Sequence, residues 1–234
     1  YTPQYIVEDM MRDIVDVENR TFLDPCCGSG NFIIEAIKKG FSPENVYGFD
    51  VDENAVLITK KRIKDISGYE SENIVCADFL SCQPSAISHQ FSDSQILRFD
   101  YIFTNPPWGK KLNKKDKNRY SELYNSGNSS DTSSLFYFAS LQMLKENGKI
   151  GFLLPDSFFN ITTFAEARKS LLSLNIERLI DYGKPFKGLM TKAMAFVAVS
   201  CQPSAVSNDV SCEIYDVKKH LRLQRSFFDI PKHI

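Results

Sequence analysis

The chain has 234 residues, 43% hydrophobic and 24% charged, with a formal net charge of -1. That composition suits a globular protein with a sizeable core, and it leaves any contact with a polyanion to local patches rather than to the whole surface. No stretch reaches the length of a membrane span and the opening YTPQYIVEDM has no export signal, so a cytoplasmic protein is expected. Six cysteines without a C-x-x-C pair, and three histidines remote from most of them, predict neither a zinc site nor a disulfide framework.

Short β-rich runs alternate with amphipathic helical stretches. TPQYIVEDMM opens the chain inside a plausible helix. TFLD (21–24) reads as a strand that leads through a glycine turn into NFIIEAIKK, where Phe32, Ile33, Ala36 and Ile37 recur at helical spacing. NVYGFD (45–50) leads in the same way into ENAVLITKKRIKDI. NIVCAD (73–78), DYIFT (100–104), a helix from about Ser134 to Lys145 and KIGFLLP (149–155) follow. Such alternation predicts an α/β fold with a doubly wound, mostly parallel sheet. A helix near 164–174, NIERLIDY and the runs KAMAFVAVSC and CEIYDV come last. The final two are expected to pair antiparallel and give the sheet a mixed end. One domain covering residues 1–234 is expected, as a piece of a longer polypeptide, because the chain lacks an initiator Met.

Two irregular segments interrupt this order. Residues 82–95 read as polar loop, and the CQPSA found there and again at 201–205 is too short an echo to mark a structural repeat. Residues 109–134 are polar without apolar periodicity, as in a functional or disordered loop. They contain Lys110, Lys111, Lys114, Lys115, Lys117 and Arg119 against a single Asp116. A solvated face is the ordinary reading of such a run, and phosphate binding the functional one.

Several strand ends carry residues suited to chemistry. In DPCCGSGNF (24–32), Gly28 and Gly30 stand where strand turns into helix, so backbone can approach a ligand and aim N–H groups at it; a tight turn that simply needs glycine is the plainer reading. Position 33 is Ile where a dinucleotide fingerprint has its third glycine, which disfavours NAD. Asp50 ends the second strand 22 residues after Gly28, the place of a carboxylate that accepts from ribose hydroxyls, and Asp52 is placed to cap the next helix. Asp78 and Phe79, at the end of the third strand, could hold an adenine ring or be a turn Asp and a core Phe. TNPPWG (104–109) ends the fourth strand. Two prolines stop the ladder there and stiffen a segment that carries an amide and a large aromatic ring.

Taken together, DPCCGSGNF, GFDVDENAV, CADFL and NPPW, in this order, resemble the S-adenosylmethionine-dependent N6-adenine DNA methyltransferases of restriction-modification systems whose cofactor motifs precede the catalytic one. TPQYIVEDMM, GKIGFLLPDSF and PFKGLMTKAMAF are similar to further motifs of that group, so the resemblance runs from about residue 2 to 200. It implies a Rossmann-like methyltransferase fold with a seven-stranded sheet ending in an antiparallel strand. It also implies S-adenosyl-L-methionine as cofactor, DNA as partner, no metal, and a target-recognition domain or specificity subunit outside this chain. Asp24, Cys27, Gly28 and Gly30 would hold the methionine part, with Thr2, Pro3 and Gln4 closing over it. Asp50 would take the ribose and Asp78 with Phe79 the adenine, with Val51 also at the cofactor. Cys26 stands where the family often has another small residue, and Trp108 where Tyr or Phe is commoner.

The chemistry then assigned to NPPW follows from the target. An exocyclic adenine amine is a poor nucleophile because its lone pair is spread into the ring. The Asn105 side-chain carbonyl and the Pro106 main-chain carbonyl are expected to accept its two hydrogens and aim the lone pair at the methyl donor, with Pro107 helping to hold both carbonyls in one geometry. Trp108 would stack on the flipped base, with Phe186 as a second wall or as loop packing, and Lys110, Lys111, Lys114 and Lys115 would meet phosphates. The same clamp suits an RNA base or a protein glutamine amide, and a noncatalytic cofactor-binding module is a further alternative.

Overall fold

The computed structural model describes residues 1–82, 97–109, 112–127, 129, 131–186, 188, 190–200, 211–216 and 221–225. They group into two compact units, residues 1–105 with 139–148, and residues 106–138 with those from 149 onward. No described helix is long and apolar enough to cross a membrane.

The first unit contains α1 (Gln4–Met10), β1 (Phe22–Asp24), α2 (Asn31–Lys38), β2 (Val46–Asp50), α3 (Glu53–Ser67), β3 (Ile74–Cys76) and β4 (Phe99–Thr104). Its strands lie in the order β3-β2-β1-β4, and every pair is parallel. Parallel neighbours need crossover connections, which α2 and α3 supply for β1 to β2 and β2 to β3. The helical spacing of Phe32, Ile33 and Ala36 in α2 becomes a buried face against β1 and β2. Asp52 caps α3 as expected, accepting from Asn54 N at 2.9 Å, and Gly68 closes the helix in the left-handed region (φ 73°). Because the strands run the same way, with Asp24 beside Gly48 and Leu23 beside Ile102, Asp24, Asp50 and Thr104 all arrive at one end of the sheet.

At the other end Asp100 is the second residue of β4. Burial pushes its carboxyl up, but hydrogen bonds from Lys145 Nζ (2.7 Å), Thr21 N and Oγ1 (2.9 Å each) and Arg20 Nη1 (2.9 Å) outweigh that and hold it at about 2.

The second unit carries α4 (Lys114–Tyr124), most of α5 (Thr132–Met143), the greater part of β5 (Leu144–Pro155), α6 (Ala165–Leu171), β6 (Asn175–Gly183), β7 (Ala193–Val199), β8 (Ser211–Asp216) and β9 (Leu221–Arg225). Here the strand order is β5-β7-β6-β8-β9. β7 lies antiparallel between β5 and β6, and Phe152 of β5 stacks on Phe196 of β7 with ring centroids 5.8 Å apart. The α/β class and the mixed sheet agree with expectation, while nine strands are described where seven were expected.

Two other expectations need correction. The runs CEIYDV and KAMAFVAVSC do not pair. Both edges of β7 are already taken, so β8 adds parallel to the free edge of β6, where Arg178 and Glu213, each 3% exposed, form an ion pair at 3.2 Å; β9 then pairs antiparallel with β8. Nor are residues 109–134 without structure. Asn113 caps α4 by accepting from Asp116 N at 2.9 Å, and Tyr120 and Tyr124, one turn apart, bury their rings 6.4 Å from each other. The expected loop over 82–95 and the second CQPSA lie, apart from Cys82, outside the described residues.

Candidate active site

The first unit encloses a cavity of about 180 Å³ at the end of the sheet where β1 and β4 stop. It is lined by Thr2, Asp24, Cys27, Gly28 and Asn105 from the expected set, with Tyr1, Cys26, Ser29, Asn31 and Phe32 beside them. The volume is below that of a typical whole-ligand pocket, so it suits the charged end of a cofactor rather than all of one.

Each wall has a local cause. Cys27 N donates to Phe49 O at 2.8 Å, which turns the chain sharply after Asp24, and Gly28 (φ 51°) and Gly30 (φ 82°) complete the turn in the left-handed region. The two glycines differ. A Cβ on Gly28 would meet only the Tyr1 ring at 3.5 Å, whereas one on Gly30 would lie 2.7 Å from Thr59 Cγ2. Gly30→Ala is therefore expected to lower stability by about 1–3 kcal/mol through strain and overlap and to weaken cofactor binding. Gly28→Ala, which meets strain alone, should unfold at a higher denaturant concentration than Gly30→Ala.

Asp24 is 1% exposed and accepts from Thr104 Oγ1 at 2.7 Å and Cys26 N at 3.2 Å. Burial is the main cause that pushes its carboxyl up to about 7; the two hydrogen bonds oppose it and the nearby Asp50 carboxylate adds to it. Burial likewise pushes the Cys26 and Cys27 thiols well above their ordinary value, so neither is an activated nucleophile. Asp50 accepts from Gly28 N at 2.7 Å through Oδ2 and from Asp52 N at 3.0 Å through Oδ1, fastening the glycine turn to β2. Val51, next to it, is 62% exposed.

Asn105 ends the first unit with its two polar groups in different states. Its Nδ2 donates to Thr2 Oγ1 at 3.1 Å, while its Oδ1 is buried and accepts from no group among the described residues. A buried acceptor left unpaired costs about 1–3 kcal/mol, so a cavity lined by one is suited to a ligand that donates.

The remaining expected residues lie as follows. Pro3 starts α1, its carbonyl accepting from Ile6 N, and Gln4 gives its amide to Glu8 and to the buried Glu35. Asp78 caps a short turn, accepting from Leu80 N and Ser81 Oγ, and Phe79 is 2% exposed against Phe49 at 5.5 Å. In the second unit Pro106 is buried and Pro107 half-buried. Trp108 donates from Nε1 to Leu153 O at 3.2 Å and meets Phe186 edge to face at 5.5 Å and 80°, a contact between the two rings and not an open parallel slot. Lys114 and Lys115 are exposed in the first turn of α4, and Lys110 and Lys111 lie outside the described residues. Among the described residues no group of three or more His, Cys, Asp or Glu is placed to hold a metal ion.

Sequence reasoning missed the residues that brace this site. Thr59 donates to Gly28 O at 2.9 Å; Arg62, one turn later on α3, donates to Ser29 O and to Asn31 Oδ1, and Asn31 donates to Thr2 O at 2.7 Å. Their signal is faint: two polar residues three apart on a helix that follows a glycine turn.

Comparison with known proteins agrees with this architecture. Residues 44–187 match the family model of the Eco57I restriction-modification methylase. The chain is 44% identical over 227 residues to the Type II methyltransferase M.VspI of Vibrio sp. (strain 343), covering 92% of this chain and 53% of that relative. Among solved structures, it shares its fold with the methyltransferase subunit of a type I restriction-modification system from Streptococcus thermophilus (TM-score 0.67, 18% identity, 94% of this chain and 47% of that one). A Listeria monocytogenes protein assigned to the class I S-adenosylmethionine-dependent methyltransferases is also similar (TM-score 0.63, 18% identity, 90% of this chain and 62% of that one). The chain thus spans about half the length of the first of these relatives.

Proposed function

Because the chain belongs to the Eco57I restriction-modification methylase family, we propose that it transfers a methyl group from S-adenosyl-L-methionine to the N6 amine of an adenine flipped out of DNA, as the modification part of a restriction-modification system. The observation that carries this reading is the buried, unpaired Oδ1 of Asn105 on the wall of a cavity shared with Asp24 and the glycine turn. An acceptor in that state suits an amine, and the neighbouring carboxylate suits the cationic end of the cofactor.

S-Adenosyl-L-methionine, when bound, supplies a methyl group on a sulfonium, an electrophile that needs no acid from the protein. The chain's own residues prepare the nucleophile. Asn105 Oδ1 and the Pro106 carbonyl accept the two N6 hydrogens and draw the nitrogen lone pair out of the ring; the prolines hold both acceptors before substrate arrives. Asp24, Cys27, Gly28 and Gly30 hold the methionine part, and Thr2, Pro3 and Gln4 enclose it. Asp50 keeps lone pairs for the ribose hydroxyls beyond its two backbone contacts, since a carboxylate offers about four acceptor positions. The exposed apolar Val51 lies beside it, and Asp78 and Phe79 mark the adenine end. Trp108 supplies a stacking face worth roughly 1–3 kcal/mol per base, and the edge of Phe186 braces it.

Lys114 and Lys115 support DNA as the substrate. Cations in the first turn of a helix oppose its dipole, a placement that favours bound phosphate over mere solvation. Recognition of the DNA sequence is assigned to a separate domain or subunit. The rival substrates are an RNA base and a protein glutamine, which the same clamp would fit. Labelled cofactor offered in parallel to unmethylated DNA, RNA and protein decides among them: label is expected in DNA alone, at adenine N6. DNA affinity should fall steeply with salt, and Lys114→Ala should reduce that logarithmic slope by about 0.9. Label in RNA or protein, or in cytosine, overturns the proposal.

A further inference from the structure

We infer that Thr2 is a positioning residue for the transfer step: its hydroxyl holds the Nδ2 end of the Asn105 amide, and so keeps the Oδ1 end turned to the cavity. The inference rests on the reading of Asn105 given above and deepens it, because Thr2 was assigned there to the cofactor alone.

The two ends of an asparagine amide are nearly the same size and opposite in polarity. Rotated by 180°, Asn105 would offer N–H donors to an amine that also donates, and the clamp would lose its attraction for the substrate. A neighbour that anchors the Nδ2 end fixes where the Oδ1 end stands. Asn105 Nδ2 lies 3.1 Å from Thr2 Oγ1, and Thr2 is 8% exposed.

The Thr2 main chain is itself held in place. Arg62 has only donors, so the end of Asn31 that meets Arg62 Nη1 at 2.8 Å must be Oδ1. Asn31 Nδ2 is then left to donate to the Thr2 carbonyl at 2.7 Å. Arg62 also donates to Ser29 O, which ties the same guanidinium to the glycine turn. On the backbone side, Cys26 Sγ donates to Asn105 O at 3.3 Å. Asn105 is thus gripped at its main chain by Cys26 and at Nδ2 by Thr2, with Oδ1 alone left over.

The test uses steady-state kinetics of the natural polypeptide that carries this chain. Thr2→Val keeps the shape and removes the acceptor. Its kcat at saturating cofactor is expected to fall about 10- to 100-fold, as for a misplaced catalytic group, with little change in KM for the cofactor, and Thr2→Ser should restore kcat. If Thr2 serves the cofactor alone, KM rises and kcat at saturation stays, which overturns the inference. Asn31→Asp leaves Arg62 a partner but withdraws the donor from the Thr2 carbonyl. It should lower kcat in the same manner, and it decides the matter if Thr2→Val does not fold. Asn105→Ala separates the two levels. Transfer lost in Asn105→Ala but intact in Thr2→Val sinks the inference only, whereas transfer intact in Asn105→Ala sinks the reading on which it rests.

Discussion

Asn105→Ala is expected to lower methyl transfer by a factor on the order of 10² to 10³, the loss seen when a preorganised polar contact to the transition state is removed, while cofactor affinity stays close to that of the native chain. Asp50→Ala should show the opposite pattern, with cofactor affinity falling and transfer at saturating cofactor largely kept. The split follows from what each residue touches. Asn105 Oδ1 is buried without a partner among the described residues, and the side chain's one described contact is that of Nδ2 to Thr2. Asp50 instead accepts from Gly28 N at 2.7 Å and Asp52 N at 3.0 Å, so its loss frees the glycine turn as well as removing the acceptor proposed for the ribose. Single-turnover transfer to DNA and calorimetric titration with cofactor, run side by side on both variants, measure the two effects separately. Exchange of the two phenotypes would show that the roles are assigned the wrong way round.

Whatever in the site depends on strand ends was legible in the sequence, because a parallel sheet gathers the carboxyl ends of its strands without help from side chains. TFLD, NVYGFD and DYIFT needed only apolar runs and a breaker to place Asp24, Asp50 and Asn105 at one edge. What depends on a partner far along the chain was not legible. α4 looks like loop because its outward residues are nearly all polar; Asn113 and the pair Tyr120 and Tyr124 are its only markers, and they make a helix only when something covers the rings. The pairing of β8 with β6 turns on β7 having both edges filled and on a buried Arg178–Glu213 pair 35 residues apart, which no local pattern reveals. Phe79 shows the limit from the other side. Strand-end position suggests a ligand, while burial against Phe49 shows that the residue serves the core. The contact between Thr2 and Asn105 spans 103 residues and joins two side chains that each have a plainer role.

Asp24→Asn is expected to make the fold more stable at pH 8 and the protein unable to bind cofactor well, a trade between stability and function at one carboxyl. Burial raises Asp24 from 3.8 to about 7. Between those values the folded chain holds a proton that the unfolded chain has released, so stability is greatest below 3.8 and is lost as pH rises through 7. From pH 5 to pH 8 the loss is about 3 kcal/mol, two units of residual shift at 1.36 kcal/mol each. The asparagine variant has no such slope, and its advantage over the native chain should grow with pH across that window. Asp100 works in the opposite direction: held at about 2, it contributes stability above 3.8 that disappears as pH falls through 2, so it does not disturb the comparison. Cys26 and Cys27, the other titratable groups against Asp24 besides Asp50, stay neutral throughout. Cofactor binding should show the functional side of the same proton. In the proposed binding mode the cofactor's cationic amine stands next to Asp24 and favours the ionised form, so affinity is expected to fall about tenfold per unit below pH 7 and to lose that dependence in Asp24→Asn. Urea unfolding at pH 5 and pH 8, paired with cofactor titrations at the same values, reads both effects. A native chain whose stability is level across the window while its affinity still follows pH would mean that some group other than Asp24 carries the proton.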